Sequence, residues 1–100
     1  MDEDIALEIL NKHFGDLIER IVEKFEYYID LDEEYEELLE YIYSRIIKIW
    51  FKGKQPTITE FEKKLREAKK HKIKLIILLS YLISRYEKKR SIATLLSERK

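Results

Sequence analysis

The sequence predicts an all-α fold: a compact antiparallel bundle of three long helices plus a short C-terminal helix, as one domain over residues 1–100. Three observations carry this. Apolar residues recur at spacings of three and four along nearly the whole chain, which is the period of one helix face. Two glycines and one proline interrupt 100 residues, and Gly53 and Pro56 lie close together, so strong breaks are confined to one place. The most apolar stretch, residues 73–83, is surrounded by Lys, Glu, Arg and Leu, all good helix formers. Its five consecutive apolar residues, 75–79, leave no polar face in a helix. Such a helix must be covered on several sides, so it is expected to be the central buried element.

The first helix is expected from about Asp4 to Tyr28. Its stripe is Leu7, Leu10, Phe14, Leu17, Ile21, Phe25 and Tyr28. Gly15-Asp16 with Glu19 would also suit a helix end followed by a new cap. The stripe passes through Gly15 in phase, however, which favours one long helix with an interior glycine costing about 1 kcal/mol relative to alanine.

Asp30 to Asp32 forms a short break, since Asp accepts hydrogen bonds from the free amides of a helix N-terminus. Glu33, Glu34, Glu36 and Glu37 then load the first turns of a second helix with the charge its dipole favours. Its stripe is Tyr35, Leu38, Leu39, Ile42, Ile46, Ile49 and Trp50. Gly53 and Pro56 stop it.

Thr57 with Glu60, or Thr59 with Glu62, supplies a capping box for the third helix. Its stripe runs Phe61, Leu65, Ala68, Lys72, Leu75, Leu79, Leu82 and Tyr86, with Lys72 the one polar member. No residue between 69 and 74 demands a break. One helix from about 59 to 90 and two helices with a bend near His71 fit the sequence equally. Ser91 is expected to restart a short last helix, with Ile92, Leu95 and Leu96 on one side.

Composition narrows the possible roles. An apolar fraction of 45% means that 40% charged residues do not imply disorder. The absence of cysteine removes disulfides, thiolate catalysis and cysteine-ligated metals. The acidic start, Met1-Asp2-Glu3-Asp4, lacks the basic region of a signal peptide. The longest apolar run, broken by Lys74, falls short of the roughly 20 residues a bilayer needs. A soluble, cytoplasmic protein without membrane partners is the expectation. Asn11 and Gln55 are the sole amides, while Lys, Glu and Ile are abundant. That balance resembles the composition of hyperthermophile proteins and suggests a thermophilic archaeon or its virus.

The zero net charge hides an asymmetry. Residues 1–50 hold 15 acidic and 5 basic side chains, 5 − 15 = −10, and residues 51–100 hold the reverse, 15 − 5 = +10. Folding the chain at Gln55 sets residue i opposite roughly 110 − i at equal helical rise. Glu40 then faces Lys70, and Glu37 faces Lys72 and Lys74. Lys88-Lys89-Arg90 would approach the acidic turn before Glu33. On that expectation much of the asymmetry is internal pairing, and reversing Lys70, Lys72 and Lys74 to Glu should reduce thermal stability.

Chemistry-bearing constellations are few. His13 and His71 are the two histidines. Glu67 and His71 share a helix face, but a metal site needs three or four ligands, so neither metal nor cofactor is expected. His13, beside Phe14, is expected to be partly buried. No glycine-rich phosphate loop is present. An enzyme is not expected.

Two surfaces remain. Amphipathic aromatics are common at binding hot spots, which makes Tyr27, Tyr28, Tyr41, Tyr43, Trp50 and Phe51 candidate interface residues. The basic run Lys63, Lys64, Arg66, Lys69, Lys70, Lys72 and Lys74, with Lys88, Lys89 and Arg90, is the candidate nucleic-acid face, because such cations bind phosphate backbones. Residues 46–65, with Gly53, Thr57, Glu60, Phe61 and Leu65, resemble the first two helices of a helix-turn-helix domain. The likeness covers about a fifth of the chain. The helix that follows, residues 73–83, is too apolar for a DNA groove, and no Gly or Asn marks the turn before it. The expected role is therefore a small non-enzymatic accessory or adaptor protein. It would act through a protein partner or another copy of itself, with nucleic-acid binding as the alternative.

Overall fold

Three of the four helices in the computed structural model, which describes residues 1–98, begin at a side chain that caps free amides. Asp2 accepts the Asp4 N–H at 2.8 Å and opens α1 (Glu3–Lys24). Asp30 accepts the Asp32 N–H at 3.0 Å and opens α2 (Leu31–Phe51). Thr57 opens α3 (Ile58–Lys69), where its hydroxyl accepts the Glu60 N–H at 3.1 Å and the Glu60 carboxylate accepts the Thr57 N–H at 3.0 Å. The second of the two possible boxes, Thr59 with Glu62, is not the one used. Helix α4 spans Lys72–Glu98. Helix makes up 84% of the described residues and none is in a strand. Far-UV circular dichroism should accordingly give a helical spectrum with well over half the residues helical. A strand component of any size would contradict the fold.

Helix α1 runs unbroken through Gly15, but it ends sooner than its stripe suggests. Phe25 is the C-cap, and Glu26 takes a left-handed φ of 54°. The chain then turns, so Phe25 and Tyr28 face solvent, Tyr28 at 84% exposure. The Tyr28 N–H donates to the Glu87 carboxylate at 2.6 Å. At the end of α2, Lys52 and Gly53 take φ values of 52° and 83°, and the Gly53 N–H bonds back to the Ile47 carbonyl at 3.0 Å. This is the left-handed stop that glycine permits without strain.

The C-terminal region is two helices with a bend near His71, one of the two expected alternatives, rather than one helix from about 59 to 90. The chain bends at Lys70-His71, where the His71 carbonyl takes the Leu75 N–H at 3.0 Å. Lys72, the polar member of the stripe, is exposed at this corner. No new helix starts at Ser91, because α4 continues through it to Glu98. At 27 residues α4 is about 40 Å long, close to the 45 Å long axis of the molecule.

The core collects Leu7, Leu10, Phe14, Ile18 and Ile21 from α1 and Leu38, Leu39, Ile42 and Ile46 from α2. Phe61 and Leu65 of α3 and Leu75, Leu79, Leu82 and Ile83 of α4 complete it. Helices α1 and α4 each contact all the others, whereas α2 meets α3 through the rings of Tyr43, Phe51 and Phe61. The interior glycine of α1 has a local reason. A Cβ on Gly15 would lie 2.5 Å from Asn11 Oδ1 and 3.2 Å from the Tyr35 hydroxyl, the two groups joined there by a hydrogen bond.

The expected facing of Glu40 with Lys70 and of Glu37 with Lys72 and Lys74 does not form, whereas Arg90 does reach the acidic start of α2, as expected. Because the chain bends at Lys70-His71, α2 meets the far part of α4 instead. Arg90 donates to Glu34 at 3.4 Å, and the Tyr86 hydroxyl donates to Glu37 at 3.5 Å. Lys70, Lys72 and Lys74 are exposed and take part in none of the ion pairs among the described residues, which use Lys12, His13, Arg66 and Arg90. Their reversal to Glu is no longer expected to destabilise the fold. Among the described residues no helix is long and apolar enough to cross a membrane.

Candidate functional site

Helix α4 presents two apolar sides. Leu75, Leu79, Leu82 and Tyr86 face the core. Ile73, Ile77 and Tyr81, at i, i+4 and i+8, point away from it and are 76%, 64% and 57% exposed. Residues four apart lie above one another on a helix, so the three form one continuous ridge. The helix expected to be buried on several sides packs against α1, α2 and α3 but leaves this ridge uncovered. Ile49 of α2 is also exposed, and Ile49, Tyr81, Leu82 and Tyr41 line a cleft of about 220 Å³ together with Arg45, Lys48 and Arg85. Farther along α4, Ile92, Leu95 and Leu96 are exposed as well.

The basic residues do not gather on one face. Lys64 and Lys74 border a cleft floored by Trp50, Ala68, Leu75 and Leu78, with Glu67 and His71 at its edge. The Lys64 ammonium stands over the Trp50 ring at 5.5 Å. Lys69 and Lys72 open onto another cleft, with Lys12, His13, Asp16 and Arg20 of α1. Lys89 and Arg90 border a third, with Glu37, Glu40, Tyr41 and Tyr86. Arg66 is tied to Glu62 at 3.3 Å. Lys63, Lys70 and Lys88 are exposed. Lys74 and Lys88 stand about 21 Å apart along α4 at the helical rise.

The candidate interface aromatics divide between core and surface. Tyr43 is 6% exposed, its ring 5.7 Å from Phe61 and its hydroxyl donating to Gln55 at 3.1 Å. Trp50 and Phe51 are half-buried, against Phe14 and Phe61 respectively. Tyr41 is half-buried, edge-on to Tyr86 at 5.7 Å, with Arg45 and Lys89 over its ring. Tyr27 reaches the Ser80 carbonyl at 3.5 Å. Tyr28 stands free of the core. The exposed ridge of α4 was not among the candidates, although its i, i+4, i+8 spacing, out of phase with the core stripe, is readable in the sequence.

His13 is the most buried imidazole-bearing site, its side chain 7% exposed. Nε2 lies 2.9 Å from Glu62 Oε2, and Nδ1 lies 3.5 Å from Lys69 Nζ. These partners suit a ring that donates from Nε2 and accepts at Nδ1. The His13 bond is the main cause that holds the Glu62 carboxyl below its usual range, with Arg66 and Lys12 adding to it.

Burial pushes the Tyr35 hydroxyl up to about 12, reinforced by Glu19 and Asp16. Burial likewise pushes Tyr86 up to about 12, with Glu34 and Glu37 beside it. These shifts fix the sign of the pH dependence. For the two tyrosines the folded state holds the proton more tightly than the unfolded chain. Their contribution is complete below pH 10, the ordinary value, and is lost as pH rises toward about 12. Glu62 acts oppositely, contributing above its ordinary value of 4.5 and losing that contribution as pH falls. Melting temperature should therefore drop on both sides of a broad plateau. Absorbance titration, with Tyr35→Phe and Tyr86→Phe to assign the two groups, should find Tyr35 and Tyr86 ionising well above pH 10. Their ionisation near pH 10 would contradict the packing of Tyr35 and Tyr86.

Comparison with protein-family models, with curated proteins and with solved structures finds no match to this chain.

Proposed function

We propose that this chain is a small non-enzymatic accessory or adaptor protein that works by contact with a protein partner or with another copy of itself, through the outward ridge of α4. The reading rests on one observation: Ile73, Ile77 and Tyr81 form a continuous apolar ridge in solvent. A helix apolar on opposite sides is normally covered on both, and a contiguous exposed apolar patch marks an interaction site. On this reading the helices form an antiparallel bundle, with α4 as both core element and docking element.

Size-exclusion chromatography with light scattering, on the chain as it is and as Ile77→Glu, tests the self-association branch. If copies associate through the ridge, the substitution should return the protein to monomer with its melting temperature unchanged. The same mass for both proteins would remove that branch.

Nucleic-acid binding through the basic residues is the alternative, supported by the exposure of Lys63, Lys69, Lys70, Lys72, Lys74, Lys88 and Lys89. The dispersal of Lys69, Lys72, Lys74 and Lys89 over three clefts weakens it. Duplex DNA should bind no tighter than roughly 10 μM at physiological salt, within the range of non-specific affinity. Tighter binding, with log K falling steeply against log salt, would favour the alternative.

A further inference from the structure

We propose that the ridge of α4 and the adjoining cleft against α2 take an acidic amphipathic helix of a partner protein. This rests on the contact reading above and adds the chemistry of the occupant. The ridge is apolar along its crest, with Ile73, Ile77 and Tyr81 within about 80° of one another at 3.6 residues per turn. Every charge that lines the cleft beside it is positive: Arg45 and Lys48 from α2, and Arg85 from α4. Lys74 and Lys88, exposed on α4, extend the same sign along it. None of these five cations takes part in an ion pair among the described residues. The cleft beside the apolar seam thus has cationic walls and no carboxylate in its lining, while Glu67 lines the separate cleft that Lys74 borders.

A helix is the shape that matches a seam of i, i+4, i+8 side chains, because its own stripe at spacings of three and four interlocks with the ridge. Asp and Glu flanking that stripe would meet Arg45, Lys48 and Arg85 and would steer the approach. A second copy fits less well. A two-fold contact pairs a surface with itself, and here that would set cations against cations across the seam. Nucleic acid would satisfy the cations but leave Ile73 and Ile77 facing phosphate and sugar.

The test uses the full chain and two fluorescent peptides of about 20 residues, a length of roughly 30 Å as a helix. Both carry the same leucine stripe at spacings of three and four, flanked by Glu in one and by Lys in the other. Fluorescence anisotropy should give at least tenfold tighter binding of the Glu peptide, with the preference shrinking as salt screens the charges. Ile77→Glu should weaken Glu-peptide binding at least tenfold while the circular dichroism spectrum and melting temperature stay unchanged. The double variant Lys48→Glu, Arg85→Glu, both at exposed positions, should invert the preference between the peptides.

Equal binding of the two peptides, still sensitive to Ile77→Glu, would overturn the acidic partner and leave the contact reading standing. So would a dimer that Ile77→Glu dissolves, with neither peptide bound. A monomer that binds neither peptide overturns both, as does a chain that ignores the peptides and binds duplex DNA tightly.

Discussion

Leu79→Ala should lower the free energy of unfolding by about 2–5 kcal/mol, the cost of emptying a fully buried leucine site. Ile77→Ala, two residues earlier on the same helix, should change it by no more than about 0.5 kcal/mol. Leu79 is 0% exposed and Ile77 is 64% exposed. The contrast follows from helix geometry, because residues two apart point in nearly opposite directions at 3.6 residues per turn. Denaturant titration of both variants measures it directly, with Lys63→Ala as an exposed reference. The unfolding slopes should match, since neither change alters the surface that unfolding uncovers. Equal losses at Leu79 and Ile77 would mean that α4 is buried on both sides, and the proposed docking ridge would not exist. A loss at Ile77 alone would mean that the core and solvent faces of α4 are exchanged.

The parts of this fold legible in the sequence are those fixed by neighbours in the chain. Thr57 and Glu60 cap α3 because three residues separate them, and Gly53 ends α2 because it accepts a positive φ. The unbroken phase through Gly15 correctly indicated one helix, although the reason glycine stands there, the Tyr35 hydroxyl lying close to Asn11, comes from another helix. The failures have long-range causes. The end of α1 at Phe25 carries no glycine or proline, and the segment after it is held by Glu87, 59 residues away. The bend at Lys70-His71 has no breaker either, so one continuous helix and two helices with a bend near His71 fit the sequence equally; the exposed Lys72 in an otherwise apolar stripe is its one trace. The expected pairing of Lys70, Lys72 and Lys74 follows from the unbent alternative, and the bend displaces that register.

The candidate site was legible in a different sense. The sequence identified residues 75–79 as apolar all round, but periodicity records only that apolar side chains are present, not which of them find a neighbour. Ile73, Ile77 and Tyr81 were thus counted toward the interior. Tyr43, a candidate interface residue, lies in the core, because its ring packs on Phe61.

Phe61→Ala should cost about 3–5 kcal/mol, as for a fully buried aromatic, and its effect should be local as well as global. Helix α3 has 12 residues and two buried side chains, Phe61 and Leu65. A helix of that length is marginal on its own in water, so its order depends on those two anchors. Phe61 is 0% exposed, with the Tyr43 ring at 5.7 Å and the Phe51 ring at 6.3 Å, and through these contacts α2 holds α3. Removing the ring empties a site beside two aromatic rings and frees the start of α3 while Leu65 still holds its middle. Amide hydrogen exchange should consequently accelerate most across residues 58–69, ahead of α1 and α2, because local opening there requires less than global unfolding. Phe61→Leu, which keeps most of the volume, should lose less stability, with α3 protection largely retained. If exchange instead rose uniformly along all four helices, α3 would belong to the same cooperative unit as the rest, and Phe61 would be one core residue among many rather than the anchor of this segment.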